Sequence, residues 1–182
     1  MGSSNEKVEL RTRYRRERTE RYLEHSFEYL AEAPEFVNAQ VIASYVSYNH
    51  EPDTSLLNAK LIQEKKTLVL PKVTKNGLEW IAWDGALDSL STKKKIKEPT
   101  GNPISDLSII DLVIVPALRI DRSGFRLGQG GGYYDRALPH LRAWSIGLIH
   151  PDEISSEDLP REPWDIPLNA AATPDLVIRF KN

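Results

Sequence analysis

The 182-residue chain contains no cysteine, which excludes disulfides and any metal site built on thiolates. It has little net charge, −2 at pH 7. No global basic field therefore draws it to nucleic acid, and a polyanionic partner needs a local patch. No apolar run approaches the roughly 20 residues that a membrane-spanning helix requires. No secretory signal and no internal repeat are visible, so the expectation is a cytoplasmic protein acting on small molecules, most simply as a monomer. Hydrophobic residues make up 40% of the chain, too many for a disordered one and enough at this length for one substantial core. No boundary for a second domain stands out. Residues 1–5 read as a disordered leader and 6–182 as a single domain.

Residues 6–31 read as a helix ended by Pro34, with Leu23, Phe27 and Leu30 as an apolar stripe at i, i+4, i+7. Lys7, Arg11, Arg15 and Arg18 share another face. Taken by itself, that face is a solvated one laced with Glu9–Arg13 and Glu17–Arg21 pairs. Short apolar runs follow at 41–46, 67–70, 112–116, 145–149 and 176–178. They are continuous rather than alternating, as in strands of a parallel sheet buried on both faces. Residues 54–65 carry a helical pattern, with Asp53 or Thr54 as cap and Leu56, Leu57 and Leu61 as inner face. Residues 77–84 read as a strand or hairpin arm, and 84–108 as loop, with a solvated basic run at 93–97. Strands alternating with helices predict an α/β fold: a three-layer α/β/α sandwich around a mostly parallel sheet.

The chemistry concentrates in RLGQGGGYYDR, residues 126–136. It follows the strand at 112–116 and opens a helix at Tyr133, which Pro139 bends or stops. In an open α/β sheet the ligand crevice lies at the carboxyl ends of the strands. Gly128, Gly130, Gly131 and Gly132 remove side chains that would block close approach and allow successive N–H groups to converge. The natural occupant is phosphate. Arg126 adds a forked cation. Asp135 would repel phosphate unless a cation lay between them, and Mg²⁺ suits that place. No Gly-Lys-Ser/Thr follows, and the glycine spacing is not that of a dinucleotide fingerprint. The rival reading is a glycine-rich turn without a ligand.

This segment resembles the signature of the 5-formyltetrahydrofolate cyclo-ligases, also called methenyltetrahydrofolate synthetases. Their pattern Arg-Leu-Gly-x-Gly-x-Gly-Tyr-Tyr-Asp stands here as Arg126-Leu127-Gly128-Gln129-Gly130-Gly131-Gly132-Tyr133-Tyr134-Asp135. Lys7-Val8-Glu9-Leu10-Arg11 resembles the family's Lys-x-x-Leu-Arg, and Glu51-Pro52-Asp53-Thr54 its Glu-x-x-Thr. Leu70-Pro71, the strand 111–116 and Ile146-Gly147-Leu148 also match. The chain departs from the pattern in two places. Trp164 stands where a His usually precedes Asp165 and Thr173, and Arg119-Ile120 replaces a small residue and Phe ahead of Asp121.

The resemblance implies ATP-dependent conversion of 5-formyltetrahydrofolate to 5,10-methenyltetrahydrofolate, with ADP and phosphate released. ATP would meet Lys7, Arg11, Arg126, Gly128, Gln129, Gly130, Gly131, Gly132, Tyr133 and Tyr134. The folate would meet Val46, Glu51, Gln129, Gly130, Gly131, Gly132 and Tyr133. Arg126, Glu51 and Tyr133 would carry the chemistry, and Asp135 and Asp165 would hold Mg²⁺. Arg15 and Arg18 stay on the solvated face. Without the resemblance, Glu51 reads as an exposed loop acid and Asp165 as a turn residue. One of Tyr133 and Tyr134 is expected in the core, Trp80 and Trp83 are expected in packing, and His25, His50, His140 and His150 show no metal spacing. A second reading is a nucleotide- or folate-binding relative without turnover.

Overall fold

The structure is a computed structural model and describes residues 2–93 and 96–181. In chain order the helices are α1 (Gly2–Arg21), α2 (Pro34–Asn38), α3 (Ser55–Gln63) and α4 (Tyr133–Ala137). The strands are β1 (Val41–Ala43), β2 (Thr67–Thr74), β3 (Gly77–Trp83), β4 (Leu90–Lys93), β5 (Ile96–Pro99), β6 (Leu112–Pro116), β7 (Arg119–Asp121), β8 (Arg126–Leu127), β9 (Trp144–Leu148), β10 (Ile154–Ser155), β11 (Ala170–Ala172) and β12 (Val177–Arg179). Seven strands form the central sheet in the order β12-β11-β9-β6-β1-β2-β3. Its two edge strands pair antiparallel and the inner five run parallel. The α/β architecture expected from alternating strand and helix patterns is the one observed. Among the described residues no helix is long and apolar enough to cross a membrane.

Burial on both faces explains the continuous apolar runs. Along β6, Leu112 and Ile114 enter one core with Phe27, Leu30, Phe36, Leu57 and Leu61. Val113 and Val115 enter the other with Trp80, Ile120, Leu138 and Leu168. Each such side chain contributes about 1.5–3 kcal/mol by leaving water. β12 departs from this pattern, being a half-buried antiparallel edge. Thr54 stands at the N-cap of α3 without a side-chain capping bond, its hydroxyl donating to the Tyr45 carbonyl at 2.7 Å, and the preceding Asp53 supplies the oxygen instead, its Oδ1 accepting from the Ser55 amide at 2.9 Å. Leu57 and Leu61 face inward, but Leu56 is 52% exposed. One residue turns a helix by about 100°, so Leu56 cannot share the face of Leu57.

α1 differs most from its expected form. Residues 2–5, read as a leader, belong to the helix, and Met1 lies outside the described residues. The helix ends at Arg21, not residue 31. Phe27 and Leu30 reach the core around a 3₁₀ turn at Glu28–Glu32, and Leu23 is left exposed. Glu17 pairs with Arg13 at 2.7 Å and with Arg119 at 2.5 Å rather than with Arg21. Arg119 also lies 4.4 Å from the centre of the Tyr14 ring, so this departure from the family pattern serves to dock α1.

Arg18 is not solvated. It is 7% exposed, its Nε and Nη2 grip Glu153 at 2.8 and 2.6 Å, and Nη2 also donates to the Ala117 carbonyl at 2.6 Å. The segment read as loop contains an antiparallel ribbon, β4 with β5. Buried Glu98 ties it to the sheet by accepting from the Val73 amide at 3.0 Å. Of the basic run, Lys94 and Lys95 lie outside the described residues.

Candidate active site

The order of the central sheet reverses between β1 and β6: β2 follows β1 on one side, and β6 and β9 extend the other. Such a switch point leaves a crevice beyond the carboxyl ends of the two strands. A cavity of about 170 Å³ lies there, lined by Tyr45, Val46, Tyr48 and Glu51 after β1, by Pro116 at the end of β6, and by residues 128–135. Pro71, Val73 and Leu78 of the β2–β3 hairpin and Ile96, Lys97 and Glu98 of β5 close the far side.

The glycine loop is delivered by the hairpin β7–β8. Asp121, fully buried, shapes that hairpin by accepting from the amides of Ser123, Phe125 and Leu159 at 2.9–3.0 Å. Four carbonyls of the loop are occupied, that of Gly131 by Arg136 Nη2 at 3.3 Å. Gly128 accepts from Arg11 Nε at 2.9 Å, Gln129 from Arg15 Nη2 at 2.5 Å, and Gly132 from the Arg136 amide at 3.2 Å. Among the described residues no protein acceptor engages the amides of residues 128–132. Gly130 and Gly132 take φ of 107° and 64°, values that an L side chain rarely adopts. The loop thus presents unpaired donors, as a phosphate cradle does. The helix contributes less than the sequence suggested, because α4 has only five residues. The positive field comes instead from α1, where Lys7, Arg11, Arg15 and Arg18 each bind a different part of the site's frame. Arg15 is exposed, as expected of the solvated face, yet it also bonds the loop's side chain: its Nε meets Gln129 Oε1 at 3.1 Å. Burial first, and then the neighbouring charge of Arg15, lowers the Arg11 guanidinium from its ordinary value.

Glu51 forms the opposite wall. It is 7% exposed, not an open loop acid, and sits in a turn where Asn49 takes φ of 53°. Burial pushes its carboxyl up to about 7, against the lowering effects of the Tyr48 amide, the Arg18 charge and the Gln129 side chain. Three buried polar atoms of cavity residues have no hydrogen-bond partner among the described residues: Tyr45 OH, Tyr134 OH and Arg126 Nε. Each such group costs about 1–3 kcal/mol unless something satisfies it, so this pocket is built for a ligand rich in polar atoms. Tyr134 also packs edge-on against Trp80, with ring centres 6.1 Å apart. Tyr133 lies beside Arg136, whose guanidinium is 5.2 Å from the ring centre.

Asp135 pairs with Arg126 Nη2. Asp165 accepts from Lys7 Nζ at 2.8 Å and from the Glu162 amide at 2.8 Å. Both carboxylates act electrostatically on Arg11, so they border one region. Among the described residues no group of three His, Cys, Asp or Glu could hold a metal. Two carboxylates suit Mg²⁺ arriving with phosphate oxygens, which needs no more protein ligands than that. Trp164 is 65% exposed beside Asp165. The tyrosines after β1 and the β5 residues were missed by sequence reading; the signal available was their position after a strand end or opposite it.

The family model described as the 5-formyltetrahydrofolate cyclo-ligase family matches residues 5–174. The 5-formyltetrahydrofolate cyclo-ligase of Escherichia coli K12 is 34% identical over 152 residues, covering 79% of this chain and 83% of that protein. The enzyme of the same name from Mycolicibacterium smegmatis is 30% identical over 147 residues, covering 76% and 75%. The NMR structure of Aquifex aeolicus 5,10-methenyltetrahydrofolate synthetase superposes with a TM-score of 0.79 at 30% identity, covering 97% of this chain and 93% of that one.

Proposed function

Since the chain belongs to the 5-formyltetrahydrofolate cyclo-ligase family and is an enzyme of it, we propose that it consumes ATP to close 5-formyltetrahydrofolate into 5,10-methenyltetrahydrofolate, releasing ADP and phosphate. One observation carries this reading. A single cavity pairs a loop of unengaged amides, rimmed by cations, with a buried carboxyl whose proton affinity lies near neutrality.

The amides of residues 128–132, with Lys7, Arg11 and Arg126, hold the triphosphate. Tyr45 and Tyr134 offer hydroxyls, and Glu51 a carboxyl, to the polar folate head. The formyl oxygen attacks the γ-phosphorus, and the bond to ADP breaks. N10 then attacks the activated formyl carbon. The C–O bond breaks, phosphate leaves with the former formyl oxygen, and the N10 proton passes to Glu51. A carboxyl poised near 7 can accept that proton and return it to solvent. No protein nucleophile is required; the chain aligns two ligands and spreads charge over the transferring phosphoryl. Asp135 and Asp165 would hold Mg²⁺, which supplies charge neutralisation at the phosphate oxygens when bound.

The test is to mix the protein, Mg-ATP and 5-formyltetrahydrofolate and follow the near-ultraviolet absorbance of the methenyl product, with Arg126→Ala and Asp135→Ala alongside. ATP-dependent product from the unaltered chain, strongly reduced in both variants, is expected. Binding of both ligands without product would refute the reading.

A further inference from the structure

α1 is held to the rest of the molecule by polar groups. Its inward residues are Lys7, Leu10, Arg11, Tyr14, Glu17 and Arg18, and of residues 5–21 only Arg18 is buried. None of them enters either hydrophobic core. A helix in a folded protein ordinarily owes its stability to an apolar face packed on the core. Here Lys7 meets Asp165, Arg11 the Gly128 carbonyl, Arg15 Gln129, Glu17 Arg119, and Arg18 Glu153. Such contacts exchange bonds to water for bonds to protein at small net gain. Even the buried Arg18–Glu153 pair regains the hydration of both ions when it separates.

Arg119 ties this helix to the loop it covers. It sits on β7 opposite Leu127, the residue between Arg126 and Gly128, and it does not border the cavity itself. Its buried guanidinium gives Nη2 to Glu17 at 2.5 Å and Nη1 to the Asp152 carbonyl, and it lies 4.4 Å from the centre of the Tyr14 ring. Tyr14 and Glu17 are neighbours on one helix face. The next turn toward the N-terminus carries Arg11, which lines the cavity and bonds the Gly128 carbonyl. One guanidinium thus sets the helix of Lys7 and Arg11 against the hairpin of Arg126 and the glycine loop.

We propose that Arg119 is a positioning residue for ATP: it closes α1 over the glycine loop as a strap, and the closed strap is the form that binds the triphosphate. This rests on the functional reading above, in which Lys7 and Arg11 meet the phosphates. With no apolar anchor, α1 stands near balance between docked and released. A nucleotide that needs the strap closed also holds it closed.

The experiment compares the unaltered chain with Arg119→Ala, Arg119→Lys and Glu17→Gln by hydrogen exchange and by steady-state kinetics. In the unaltered chain the α1 amides should slow when a nonhydrolysable ATP analogue binds with Mg²⁺. A hydrogen bond to a charged group is worth roughly tenfold or more, and apparent affinity falls with the fraction of chains that are competent to bind. Arg119→Ala should therefore speed α1 exchange about tenfold without nucleotide, leave the amides of β6 and β9 unchanged, and raise the KM for ATP about tenfold. Saturating ATP pulls the strap closed, so kcat and the KM for the folate should then stay within about twofold. Arg119→Lys keeps the charge but not the fork and should recover part of both effects; Glu17→Gln should reproduce part of them. Unchanged α1 exchange in Arg119→Ala, an unchanged KM for ATP, or a fall in kcat alone would overturn the proposal. Inorganic triphosphate repeats the exchange measurement without turnover. A chain that makes no methenyl product, yet whose α1 is protected by triphosphate only when Arg119 is present, would sink the catalytic reading and leave the strap standing.

Discussion

Replacing Glu51 with glutamine removes an ionisable group from the cavity wall, and the structure states what that should do to stability. Glu51 is 7% exposed, and burial raises its carboxyl from 4.5 to about 7. A raised carboxyl favours the folded state at low pH. Below 4.5 the proton is bound whether the chain is folded or not. As pH climbs toward 7, the unfolded chain has lost the proton while the folded chain still holds it or must keep a desolvated carboxylate. The folded protein therefore loses stability across that window, by roughly 3 kcal/mol in total at about 1.4 kcal/mol per pKa unit. Glutamine has no such loss. Urea unfolding without ligands, followed by tryptophan fluorescence, should show the Glu51→Gln protein gaining on the unaltered one by about 2.5 kcal/mol between about pH 5 and about pH 8.5. The constant offset from the altered hydrogen bond to Tyr48 cancels in that comparison. A difference independent of pH would refute the claim that Glu51 is held near neutrality by burial.

Other outcomes follow from the same contacts. Arg18→Met leaves Glu153 buried without its partner and should cost about 3–5 kcal/mol in urea unfolding, with Arg18→Met/Glu153→Gln recovering most of it. Gly130, at φ of 107°, meets only ordinary contacts with Arg11 when a Cβ is added. Gly130→Ala should therefore act through backbone strain of about 1 kcal/mol, lowering Tm by about 2–4 °C. Gly128 has neither positive φ nor a neighbour within 4 Å of an added Cβ, so Gly128→Ala should raise Tm slightly, by about 1–3 °C, by restricting the unfolded chain. Chelation of divalent cations should abolish methenyl formation and added Mg²⁺ restore it; turnover in excess chelator would remove Asp135 and Asp165 from their proposed role.

The inner strands were legible because side chains that alternate between two cores, such as Leu112 and Val113, leave no polar position in the run. The glycine loop was legible because few other tasks call for four glycines between an arginine and an aspartate. Arg18 was not, because its partner Glu153 lies 135 residues away and nothing local distinguishes it from its solvated neighbours. The β4–β5 ribbon was hidden for a related reason. LSTK and IKEP carry no apolar alternation, and the ribbon owes its place to Glu98 reaching the Val73 amide on another strand. The early end of α1 was masked by Leu23, whose helical spacing to Phe27 is fortuitous, since it stays exposed.

The account stands on the formyl oxygen meeting the γ-phosphorus at this one cavity. Turnover of 5-formyltetrahydrofolate labelled with ¹⁸O in the formyl group, with mass analysis of the released phosphate, tests that directly. One labelled oxygen in each phosphate is the predicted result; label recovered in water or formate, with unlabelled phosphate, would contradict it.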